Sequence, residues 1–203
     1  MENYNQLSIE DGEILVKTSR IIVTEFLKNR TKIALDKKFE SNFSFNSGVF
    51  VTLNNALGLR GCVGFPHPTK KLFDSLIEAS IATASEDPRF PPVKSEELDQ
   101  ITFGVTVLTQ PEEIHVVEPK TYPSKIKVGR DGLIVKNGFN SGLLLPQVPI
   151  EYNWTEEEFL GHTCKKAGLP WDSWKDNETK VQKFGGIVFK EDTPKGKVVK
   201  EEL

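Results

Sequence analysis

The chain has 203 residues and carries 26 Lys and Arg against 29 Asp and Glu, a net charge of -3 that leaves no electrostatic footprint for nucleic acid. Hydrophobic residues make up 37% and charged residues 27%, the balance of a globular chain able to bury its own core, and no run of about 18 apolar residues marks a membrane span. With 2 cysteines, Cys62 and Cys164, a disulfide framework is excluded.

The first twenty residues lack the basic-then-apolar order of a signal peptide, so the expected compartment is the cytoplasm, where thiols stay reduced. Ser8 followed by Asp11 marks a helix start. Ile14, Leu15, Ile21, Ile22 and Phe26 then recur at helical spacing, with an end near Arg30. Residues 31–47 are polar and broken. "GVFVTL" (48–53) reads as a strand, "NNALG" as a five-residue hairpin loop, and "LRGCVGF" as the returning strand, ended by Pro66 and Pro68. Thr69 is expected to cap a helix over "KKLFDSLIEASIATASED", with Leu72, Phe73, Leu76, Ile77, Ser80 and Ile81 on one face.

"DPRFPPVKSEELDQ" is an irregular, proline-rich connector. "ITFGVTVLT" (101–109) is a strand, and "EIHVV" (113–117) is expected to pair with it. Residues 125–147 carry three short strands, with turn signals at 129–132 and at Asn137-Gly138. Thr155 and Glu158 form a capping box, and Gly168 and Pro170 close the helix that follows. "TKVQKFGGIVFKE" (179–191) is a last strand, and residues 193–203 read as a loose charged tail. Without repeats or a long linker, this order spells one α+β domain over 1–203, a largely antiparallel sheet with flanking helices.

The densest chemistry lies in "LRGCVGFPHP" (59–68). On an extended strand Leu59, Val63 and Phe65 share the core face, and Arg60 and Cys62 share the other, about 7 Å apart. A guanidinium there favours the thiolate. Gly61 and Gly64 remove side-chain bulk, either for a close-approaching ligand or for a bulge. Lys70 and Lys71 in the first turn of the next helix stand where free amides can hold an anion, although solvated lysines are the commoner use of such positions. His67, fixed between prolines, is near enough in sequence for a Cys–His pair. In the connector, Arg89 either pairs with Asp87 or clamps a carboxylate or phosphate.

Cys164 shares an apolar helical stripe with Leu160 and Ala167 and reads as a packed core thiol. His162 lies about 200° around that helix from it, so the two cannot chelate one metal. His115 reads as a mid-strand structural residue. No metal-ligand spacing, phosphate loop, dinucleotide fingerprint or nucleophile elbow is present, so the cofactor is left open.

Several stretches in order resemble the AMMECR family, also seen as protein A of the AmmeMemoRadiSam system. They are "FVTLNNALGLRGCVGF", "ASEDPRFPPVKSEEL", "VTVLTQPEEI", "VGRDGLIV", "LLLPQVPIEYNWTEEEFL" and "CKKAGLP", covering roughly residues 45 to 175. The hallmark L-R-G-C-[IV]-G stands here at Leu59 to Gly64, and the later stretches are most similar to archaeal and bacterial members. The resemblance implies a larger and a smaller subdomain with the R-G-C-x-G segment beside a cleft. It implies Memo-like or radical SAM proteins as partners, and it leaves the biochemical function unestablished. The hallmark carries over to Arg60, Gly61, Cys62 and Gly64, and the connector motif to Asp87, Arg89 and Phe90.

Two expectations follow. In one, Cys62 is a thiol nucleophile helped by Arg60 and acting on a small anionic substrate. Gly61, Gly64, His67, Lys70, Asp87 and Arg89 then hold that substrate. In the other, the same segment is a non-catalytic binding module for a nucleotide-like anion or for the partner proteins.

Overall fold

The structure is a computed structural model that describes residues 7–29 and 37–202. These residues form two compact units, a larger one ending at Thr109 and resumed over Ile187–Glu201, and a smaller one over Gln110–Gly186.

The larger unit opens with α1 (Ile9–Asn29), capped as its first residues demand. Ser8 donates its amide to Asp11 Oδ2 at 2.9 Å, and Asp11 returns its own to Ser8 Oγ at 3.2 Å. Its buried stripe runs through Leu15, Val16, Ser19, Ile22, Val23 and Leu27, while Ile14 and Ile21 face outward. The helix boundary expected at Arg30, and residues 31–36 of the broken stretch, lie outside the described residues. From Lys37 to Asn42 the chain forms a short helix, α2.

The hairpin follows as β1 (Val49–Asn55) and β2 (Gly58–Phe65), with a connection tighter than the five residues expected. α3 runs Leu72–Ser85, so its cap is Lys71, not Thr69, and Lys70 and Lys71 precede the first turn. The connector tightens into a 3-10 helix over Ser95–Gln100 before β3 (Thr102–Leu108). β8 (Gly186–Glu191) and β9 (Val198–Glu202) complete a five-stranded sheet in the order β2-β1-β3-β8-β9. α1 packs on β3 and α3, and α3 packs on β1 and β2. Leu15, Leu72, Leu76, Val51, Phe103 and Phe189 are sealed in the resulting core.

The segment expected to be a loose tail is therefore an edge strand over much of its length. Val198 is buried and the Lys200 ammonium donates to the Leu7 carbonyl at 2.8 Å. A β-branched pair with a sheet edge to join outweighs the charges around it.

The smaller unit holds a four-stranded sheet in the order β4-β7-β5-β6. Its strands are β4 (Glu112–Glu113), β5 (Gly132–Asn137), β6 (Asn140–Leu144) and β7 (Lys180–Phe184). β4 pairs with β7 rather than with β3, and residues 125–147 give two strands rather than three. The last strand expected over 179–191 is two strands, β7 and β8, in different sheets. α4 (Val148–Glu151) and α5 (Glu156–Lys166) follow β6. Thr155 caps α5, taking the Glu158 amide at 3.3 Å and giving its own amide to Glu158 Oε2 at 2.8 Å. Gly168 has φ 75°, the left-handed turn that ends this helix. Leu133, Val135, Phe159, Leu160, Trp174 and Val181 form a second, separate core.

Candidate functional site

The period-two reading of β2 fails at one residue. Leu53 pairs with Gly61 and Asn54 with Leu59, so Arg60 is an extra residue with no partner on β1, a β-bulge. The bulge inverts the facing expected at this end of the strand. Leu59 is 42% exposed and Arg60 only 8%. Arg60 therefore does not meet Cys62. It clasps Glu97 of the connector helix through Nε to Oε2 at 2.8 Å and Nη2 to Oε1 at 3.1 Å. Glu97 also accepts the Lys94 amide at 2.8 Å, and its carboxyl is held below the usual range, chiefly by the Arg60 hydrogen bonds.

Cys62 sits half-buried opposite Thr52, whose hydroxyl lies 3.4 Å from its sulfur. Its amide and carbonyl are taken by two connector side chains. Asp87 Oδ2 accepts the Cys62 N–H at 2.8 Å, and Arg89 Nη2 donates to the Cys62 carbonyl at 2.9 Å. β2 is the first strand of its sheet, so these two side chains make the bonds that a neighbouring strand would make. Arg89 also forks onto Asp87 at 3.0 and 2.8 Å. That pairing holds the buried Asp87 carboxyl far below the usual carboxylate range and raises Arg89 in turn. Asp87 is thus too weak a base to draw a proton from the thiol.

The glycines of the hallmark make room for the protein itself. A Cβ on Gly61 would lie 2.7 Å from the Thr83 carbonyl on α3, and one on Gly64 would lie within 2.5 Å of the Phe50 ring. His67 is exposed, and its carbonyl receives the Thr69 amide at 2.8 Å. Lys70 is exposed and tied to Glu78 at 2.7 Å. His115 is exposed and lies beyond β4, not within a strand. In the smaller unit, burial pushes the Cys164 thiol up to about 11. His162 stacks on Trp154 at 3.6 Å between ring centres and meets Trp171 edge-on at 4.8 Å. Among the described residues, no group of three or more His, Cys, Asp and Glu is placed to hold a metal ion, and no helix is long and apolar enough to cross a membrane.

What the bulge does build is a groove of about 670 Å³ between the hairpin tip and the connector. Leu57, Leu59, Phe90, Pro91 and Pro92 supply apolar walls, and Asn55, Arg60, Lys94 and Glu97 the polar positions. Leu57 is 96% exposed at the hairpin tip. Sequence reasoning singled out Arg60 and Phe90 but missed Glu97, Lys94 and the leucines. The available signal was an apolar Leu57 in a turn that otherwise selects polar residues.

The chain is similar to known proteins over nearly all of its length. The AMMECR1 family model matches residues 16–189. A protein of Methanothermobacter thermautotrophicus is 51% identical over 189 residues, covering 93% of this chain and 98% of that one. Protein MJ0810 of Methanocaldococcus jannaschii is 45% identical over 199 residues, covering 97% and 98%. The crystal structure of the uncharacterised protein PH0010 from Pyrococcus horikoshii superposes with a TM-score of 0.82 at 49% identity, covering 97% of this chain and 99% of that one. The α+β fold, the ordered motifs and these relatives lead to one conclusion: the chain belongs to the AMMECR1 family.

Proposed function

We propose that this protein is a small-ligand recognition module whose site is the groove between the β1–β2 tip and the connector. The observation that carries the reading is that Arg60 turns away from Cys62 and lines that groove with Glu97. A volume of about 670 Å³ suits a small organic molecule, and the wall composition is the usual one for such sites, mostly apolar with a few fixed polar groups. A ligand bound to the folded state raises Tm. In a thermal-shift screen of small metabolites, ligands should stabilise the wild type and Cys62→Ser alike and lose their effect in Leu57→Ser. Hits that require Cys62 and ignore Leu57 would overturn the reading.

One observation favours a second reading, a thiol enzyme. The Arg89 guanidinium stands beside Cys62 in the place expected for Arg60. Against it, Asp87 neutralises that guanidinium in a bidentate pair. A turnover abolished by Cys62→Ser, with binding retained, would favour the enzyme.

A further inference from the structure

The polar groups of the groove identify the class of ligand, an inference that rests on the recognition reading above. Each of its side-chain acceptors is already engaged at least once. Glu97 Oε1 receives Arg60 Nη2 and the Lys94 amide, Oε2 receives Arg60 Nε, and Asn55 Oδ1 receives the Leu57 amide at 2.9 Å. Its donors are not. A guanidinium has five N–H groups, and Glu97 takes only two of those on Arg60. The rest, on Nη1 and Nη2, have no acceptor among the described residues. The same holds for the Asn55 side-chain amide and the Lys94 ammonium.

The Arg60 side chain is 10% exposed, and leaving a charged donor there unpaired is costly. Nor is it sealed off. The buried polar side-chain atoms without a partner among the described residues are Trp174 Nε1 and Gln182 Oε1, both in the smaller unit. Among the described residues no acceptor takes the Nη1–Nη2 edge of Arg60, and Arg60 lines an open, apolar-walled space.

Two cations and one carboxylate line this space, one positive charge in excess. We propose that the groove binds a small organic monocarboxylate, its carboxylate forked onto the Nη1–Nη2 edge of Arg60 and its apolar body against Leu57, Leu59 and Phe90. Planar, bidentate pairing is what this edge is shaped for. A single excess charge matches a monoanion and not a polyphosphate.

The test is a titration calorimetry series with 3-phenylpropionate, its neutral amide, acetate and phenyl phosphate. 3-Phenylpropionate should bind at least tenfold more tightly than the amide, acetate and phenyl phosphate. Glu97→Gln should strengthen 3-phenylpropionate binding severalfold relative to the amide, because it removes the competing negative charge. The double variant Arg60→Gln, Glu97→Gln keeps a neutral hydrogen-bonding pair. With its fold checked by circular dichroism, it should bind acid and amide equally.

Equal binding of acid and amide by the wild type, with both lost in Leu57→Ser, would overturn the carboxylate assignment and leave the groove standing as a recognition site. Tighter binding of phenyl phosphate would overturn it in the same way. No change with Glu97→Gln, or no binding of any probe at millimolar concentration, would also overturn it.

Discussion

Single residues decide more here than their neighbours' pattern does. Arg60 owes its place to one unpaired position in β2, and everything assigned to the groove follows from that slip. His162 shows the same dependence on surroundings. Burial among Trp154 and Trp171 lowers its proton affinity from the ordinary value of 6.5, and Lys165 adds to the effect while Glu158 opposes it. The folded state then holds this proton less well than the unfolded chain. Stability is full above that ordinary value and declines as pH falls through it. Tm should drop between pH 7.5 and pH 5.5, and His162→Phe should flatten the drop. An unchanged pH dependence in the variant would rule this cause out.

Elements were legible where their signals are local. The capping box at Thr155 and the left-handed Gly168 need only a few adjacent residues, and both stand as read. Pairing partners were not legible, because partner choice is settled by residues far away in sequence. β4 joins β7, and β8 returns to β3 after the whole smaller unit has intervened. Gly61 illustrates the same limit. Its missing side chain was read as room for a ligand or as a bulge, yet the occupant is the Thr83 carbonyl, which α3 brings from 22 residues away. The charged segment after Asp192 was misread for want of a visible partner strand. Truncation after Lys197 removes the buried Val198 and the tie from Lys200 to Leu7. Burying one valine is worth about 1.5–3 kcal/mol, so a thermal melt of the truncated protein should shift down by several degrees.

At the scale of the whole molecule, two cores rather than one carry the stability. The groove draws every lining residue from the larger unit, whereas Cys164 is sealed in the smaller. Leu133→Ala opens a cavity beside fully buried neighbours, a loss of about 2–5 kcal/mol. Labelling of Cys164 by a thiol reagent should accelerate at least tenfold in this variant, while groove affinity stays at the wild-type value. Composition and element order foretold the class of the fold, and they made Leu59 to Gly64 a plain alternating segment. The direction in which that segment faces came from a bulge that period-two reasoning cannot see.

Asp87 and Arg89 have one more consequence. A β-sheet whose first strand shows bare amides and carbonyls invites the same strand of another molecule to zip onto it, the beginning of a fibre. Here two side chains occupy the pair of contacts at Cys62 that such a neighbour would seize. With both contacts taken, this position of a strand made largely of glycine and apolar residues has no backbone bond left over for a second copy.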